Sequence, residues 1–328
     1  MAARYWVGGT AAWDATAGTK WATTDGGAGG AAVPTSADDV FFTAASGAVT
    51  VTIQTVSASC ANLNCTGFTG SLVQNLASLQ IFQSLTFSAT MTLDQGGNSI
   101  SFSATSGSYT VNTNGISFTS SVIFGGGAAS TATWTLQSAL TSSSSITVTR
   151  GTFTTNNYNV TATQLASSNT NARTINLGSS TVTLSVAAAI NFGTNTNLTF
   201  NAGTSTIIAS QTATTIAGGT NNGGTGVSFY NLSLTATTTG THTIQAVNTF
   251  NNLSVTAPSS TGVRQVTFDS RQTINGTLST TGSAGNRRVW FSSLTYGLAQ
   301  TITINSAASL TDADFRDIYV VGTAAPIS

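Results

Sequence analysis

Charge is what this chain lacks most. Its 328 residues include no Glu, one Lys (Lys20) and one His (His242). Arg and Asp supply all the rest, the net charge is zero, and charged residues make up 5% of the chain, against about 25% in ordinary soluble domains. Each shortage excludes something. With no basic run there is no electrostatic footprint for nucleic acid. No stretch approaches ~18 uninterrupted apolar residues, so no membrane insertion is expected. The start, MAARYWVGGT, has an Arg but no apolar core, so it does not read as a cleaved signal peptide. Export by another route, or a processed start, stays open. Two cysteines give no disulfide framework.

What remains is Thr, Ser, Asn and Gly over an apolar content of 40%. β-Branched Thr favours extended backbone, while Ser, Asn and Gly serve bends, so the mixture suits strands and resists helices. The apolar residues are too many and too regularly placed for a disordered Ser/Thr stalk. Short period-2 segments recur: Val49–Ile53, Ile146–Val148, Thr181–Leu184, Val266–Phe268, Val289–Phe291 and Ile302–Ile304.

One phrase also repeats. Phe229-Tyr-Asn-Leu-Ser-Leu234 returns as Phe250-Asn-Asn-Leu-Ser-Val255, and Cys60-Ala-Asn-Leu-Asn-Cys65 returns as Phe82-Gln-Ser-Leu-Thr-Phe87. Thr113–Phe118 and Asn195–Phe200 are weaker copies. A period just above ~20, with short strands and polar bends, predicts one coil per repeat. A coil cannot bury its apolar face alone, whereas coils stacked about 4.8 Å apart can. The expected fold is all-β: a right-handed parallel β-helix, or β-solenoid, with irregular coils of about 21–25 residues, about 11 in all. A β-sandwich or barrel is the alternative, and it explains the repeated phrase less well.

The ends differ from the middle. Trp6, Trp13 and Trp21 crowd the first residues and predict an aromatic cap over residues 1–48, which would shield the edge of the first coil. Residues 49–305 read as the solenoid, and 306–328 as a C-terminal cap or a junction to a further module. Cys60 and Cys65 fall at apolar positions of the phrase and read as small core residues; a disulfide or metal pair is the sharper alternative. Asp38 and Asp39 read as acceptors for turn amides, with a calcium site as the alternative.

The run Tyr5-Trp-Val-Gly-Gly, Trp13-Asp14, Trp21 and Val33-Pro34 through Asp38-Asp39-Val-Phe-Phe42 resembles the start of β-rich proteins predicted among bacteriophage virion genes. Repeat-rich bacterial surface and autotransporter-like passenger proteins open on a looser version. Ser309–Gly322 is similar to the end of the β-solenoid part in the same phage group. The resemblance covers about 60 residues, and the intervening coils match only in style. It implies a virion structural protein: a tail fibre, tailspike or surface-decorating part. Copies of the same chain, other virion proteins and host-surface carbohydrate would be its partners, and a homotrimer is expected by analogy with fibres and spikes. A bacterial cell-surface or secreted adhesin is the alternative.

Chemistry is sparse. Glycoside hydrolysis usually sets two carboxyl groups across one bond, yet no acid lies between Asp94 and Asp269. Only Arg150, Arg173, Arg264 and His242 carry titratable or cationic groups of that kind in this span. A polysaccharide depolymerase would need a site near an end or at a subunit boundary, from Asp269 or from Asp312, Asp314 and Asp317. An i, i+2 pair such as Asp312 and Asp314 would share one side of a strand and suit a cation; Asp–Arg pairing with Arg316 in an exposed turn is the plainer expectation. His242, in Gly240-Thr-His-Thr-Ile244, reads as a lone exposed histidine, and no G-x-S-x-G elbow occurs. Thr-x-Thr pairs (Thr50/Thr52, Thr147/Thr149, Thr301/Thr303) lack the coil-by-coil column of an ice-binding face and read as solvent-side strand residues. The expectation is therefore a non-enzymatic protein with no cofactor, metal or catalytic residue.

Overall fold

The computed structural model describes residues 1–13, 18–54, 57–282 and 285–327. It is 46% strand, with no α-helix among the described residues, and its parallel stacked coils form a β-solenoid of about 11 turns. The stacked fold is the one the repeat predicts. The chain falls into two compact units, Met1–Thr161 and Ala162–Ser328.

In the first unit the inward side chains of successive parallel strands form the apolar core. One face carries Ala58–Cys60, Leu79–Ile81, Ile100–Phe102, Val122–Phe124 and Ile146–Val148, paired in that order and all parallel. Its inward column, Leu79, Ile100, Val122 and Ile146, is fully buried. The next column, Ile81, Phe102, Phe124 and Val148, stacks Phe102 on Phe124 at 4.8 Å. A second face runs from Ala3–Trp6 through Asp39–Phe41, Leu63–Asn64, Leu85–Thr86, Ser108–Asn112 and Thr133–Leu136 to Gly151–Thr154. The corners are closed by buried amides. The Gln74 side chain donates to Ala77 O and Ser99 O, and Gln95 donates to Asn98 O and Ser121 O while accepting from Ser120 N–H. Each supplies partners that a buried corner would otherwise leave unpaired.

The aromatic cap is formed as expected. Trp21–Ala22 pairs antiparallel with Ala3–Trp6 and covers that edge. The Trp21 ring packs at 4.9 Å from Trp6 and 5.2 Å from Trp13, and Phe42 joins the cluster to Phe68 in the next coil. Asp14, part of the quoted motif, lies outside the described residues.

The second unit repeats the scheme with longer strands. One face orders Leu165–Ala166, Ile190–Asn191, Thr215–Ala217, Gly240–Gln245, Gly262–Phe268, Arg287–Ser293 and Ala313–Arg316. Another orders Thr181–Leu184, Thr206–Ala209, Thr225–Leu234 and Val247–Val255, and then divides between Gln272–Ile274 and Thr277–Thr280. Here the repeated phrase meets itself: Phe229, Asn231, Leu232 and Ser233 lie beside Phe250, Asn252, Leu253 and Ser254. The two Phe rings stack at 5.4 Å, and the Asn252 side chain donates to Asn231 Oδ1 at 2.8 Å. Strands Ala307–Ser309, Ala313–Arg316 and Ile318–Val321 continue the same ladders.

Three sequence readings need correction. Coil length varies more than expected: Trp134 pairs with Phe153, only 19 positions on, whereas Gln272 pairs with Ile302, 30 positions on. The corners absorb the difference while the ladders stay in register. Thr113–Phe118 is no strand copy, because Asn114 and Gly115 adopt positive φ and Ile116 N–H closes a turn onto Thr113 O. The Cys60 and Phe82 copies align at Leu63 and Leu85, but Cys60 itself lies beside Ile81, which leaves Phe82 half-buried.

Candidate functional site

The eight described aspartates each have a structural partner. Asp25 accepts from Thr43 Oγ1, Asp39 from the Asn62 amide and Asp94 from Gly96 N–H. Asp38 accepts from Ala2 N–H and from both Thr35 N–H and Thr35 Oγ1. Burial alone would raise its carboxyl, but those bonds and the nearby Arg4 outweigh it and hold the pKa below the ordinary value. The turn-amide reading of Asp38 therefore holds. Among the described residues no group of three His, Cys, Asp or Glu side chains forms a metal-binding cluster.

The C-terminal acids do not share one face of a strand. Asp312 and Asp317 both adopt left-handed backbone (φ 52°), and only Asp314 sits in a strand. The space where a cation would go is taken by Arg288 from the preceding coil. Its guanidinium forks onto Asp314 at 2.5 and 2.7 Å and approaches Asp312 at 3.7 Å. Those hydrogen bonds lower the Asp314 carboxyl. Arg–Asp pairing was expected, but its main donor is Arg288. Arg316 approaches Asp317 at 3.7 Å, as expected, and also lies over the Tyr296 ring at 4.2 Å.

His242 is the clearest correction. It is fully buried in Gly240–Gln245, with Arg264 Nη1 at 2.8 Å from its Nε2. Arg264 can only donate, so Nε2 accepts and the ring proton resides on Nδ1. Burial, reinforced by the Arg264 charge, pushes the imidazole pKa down to about 4. Arg264 also donates to Thr212 O, Ala236 O and Thr238 O, and thereby ties the loop carbonyls of two preceding coils. Buried Arg173 does the same, donating to Ser167 O, Asn171 O, Thr194 O and Thr196 O, with Ser167 Oγ as the fifth acceptor. Both arginines replace missing corner hydrogen bonds. The exposed reading took His242 for part of a turn entering the strand, yet alternation puts it on the inward face with Ile244, as it puts Arg264 with Val266 and Phe268.

Cys60 and Cys65 are buried free thiols, as the core reading expects. Burial raises both pKa values, so neither is a ready thiolate or metal ligand. The Thr-x-Thr positions form mixed columns: Thr147 lies beside Ile123, and Thr301 beside Tyr319.

A cleft of about 510 Å³ opens within the second unit. One wall is the bend Asp269-Ser270-Arg271, which follows Gly262–Phe268. Asp269 is 7% exposed; its Oδ1 accepts from Ala246 N–H at 2.8 Å and its Oδ2 from Asn222 N–H at 3.2 Å. The first bond holds Ala246 at φ 71°, a conformation an alanine rarely adopts unaided. Asp269 is thus a backbone clamp. The opposite wall is the loop carrying Thr295, Leu298 and Gln300, whose side-chain amide donates to Asp269 O. Arg271, on the first wall, is exposed. The sequence reading singled out Asp269 and missed Arg271. The available signal was Leu294-Thr-Tyr-Gly-Leu298, whose large apolar residues continue the alternation of a strand but end up outside it. No protein-family model, curated protein or solved structure matches this chain.

Proposed function

We propose that this chain is a structural component of a phage particle: a β-solenoid segment of a fibre, spike or surface-decorating protein that serves assembly or attachment to the host surface. The observation that carries the reading is the neutral outer face of the stacked coils. In Asn231 and Asn252, Thr92 and Ser71, and Asn201 and Asn176, outward groups of successive coils hydrogen-bond to each other. Such ladders stiffen the stack and present donors and acceptors without charge, a chemistry suited to neighbouring subunits and to carbohydrate. The resemblance at both ends of the chain points the same way. A non-enzymatic role is supported by the aspartates, whose oxygens are engaged by turn amides, hydroxyls and Arg288. In the particle the chain would associate with its own copies, as a homotrimer by analogy with other fibres.

Antibody–gold labelling of purified particles tests the reading. Regular label on a particle substructure is the expected result. Protein found only on the bacterial envelope or in the culture medium would replace this reading with the adhesin. Release of reducing or unsaturated ends from host capsule would replace it with a depolymerase. In that assay Asp269→Ala is a poor probe, because it removes the clamp on Ala246; Asp314→Ala is the better variant.

A further inference from the structure

We infer that the cleft beside Arg271 is a binding site for an acidic saccharide, whose carboxylate Arg271 takes and whose ring rests against Leu298. The inference deepens the proposed host-surface role and rests on it.

Four observations converge. First, the cleft contains one carboxylate, Asp269, and both of its oxygens already accept backbone N–H bonds. Second, Arg271 is exposed on the cleft wall, and among the described residues it pairs with no carboxylate. Its planar fork matches a carboxylate in two parallel bonds. Third, the rest of the polar lining is neutral, with Asn222, Thr295, Gln300 and Thr301 presenting the hydroxyls and amides that sugar hydroxyls need. Fourth, Leu294, Tyr296 and Leu298 are all exposed within five residues, the last two at 59% each.

That apolar loop is not slack. Gly297 N–H donates to Asp317 Oδ2, Leu298 N–H to Thr295 O, and Arg316 packs on Tyr296. A loop held with greasy side chains facing water pays no ordering entropy on contact, which is how a preformed site gains affinity. Exposed apolar residues grouped this way mark a contact surface. The combination of one free cation, neutral hydrogen-bonding groups and an apolar ledge matches a sugar that carries a carboxylate. A neutral sugar would leave Arg271 unpaired. An acidic peptide would satisfy Arg271 but leave the hydroxyl and amide wall with few partners.

Isothermal titration of the whole chain with trigalacturonate, maltotriose and tri-glutamate tests this. Trigalacturonate is expected to bind about tenfold or more tighter than the other two, and to weaken as ionic strength rises. Arg271→Gln, at an exposed bend, is expected to remove that preference, and Leu298→Ser to weaken binding of the acidic sugar severalfold. Absence of trigalacturonate binding, equal binding of maltotriose or tri-glutamate, or an unchanged Arg271→Gln variant would overturn the inference. The labelling experiment is independent: label on particles combined with a silent cleft would refute this site and leave the structural role standing.

Discussion

At the scale of single residues, the buried cations carry unusual weight in a chain so poor in charge. Arg173 and Arg264 sit inside coils without a carboxylate, solvated by ring and loop acceptors. His242 must stay neutral beside Arg264. With its pKa near 4 in the fold and about 6.5 unfolded, only the unfolded chain takes up this proton between those values. Stability is therefore complete above about pH 6.5 and falls as pH drops toward 4, by about 3 kcal/mol at the lower end. No other histidine and no Glu is present, so above about pH 5 the slope belongs to this ring; below that, Asp38 and Asp314, whose carboxyls the fold holds low, add to it. Urea denaturation from pH 7 to 4.5 should show this loss, and His242→Gln should flatten the slope. An unchanged slope in the variant would show that the ring is not buried as described.

At the scale of elements, the coils depend on corners that side chains cannot enter. Gly125 follows Val122–Phe124 with φ 77°, and a Cβ there would lie 2.3 Å from Arg150 O. Gly125→Ala should cost more than about 2 kcal/mol, since backbone strain and a backbone clash add; the denaturation midpoint measures it. The cap makes a similar demand. Trp21→Ala removes the ring that touches Trp6, Trp13 and Phe42, and should cost about 3–5 kcal/mol. Strand positions were legible because alternation reports burial directly. Ile146–Val148 and Thr181–Leu184 appear with the predicted bounds. Corners were less legible: the buried Gln74, Gln95, Asn248 and Gln272 look like solvent-side polar residues in sequence, and only tertiary placement gives them their carbonyl partners.

At the scale of the whole molecule, the repeat was the informative signal. Phe229 and Phe250 share a sequence context, and they stack because parallel coils bring equal positions together. The candidate site was only partly legible. Asp269 was visible as an isolated acid, but its clamp role and its neighbour Arg271 depend on which loops face that bend. What most directly tests the stacked-coil account is disulfide trapping on the outward column of the repeated phrase. Ser233 and Ser254 are register partners on adjacent parallel strands, a separation that a disulfide spans. The Ser233→Cys/Ser254→Cys variant should close an intramolecular bridge under mild oxidation. The control Ser233→Cys/Thr243→Cys, with Thr243 on another face, should remain open. Bridging in the control and none in the 233–254 pair would contradict the solenoid.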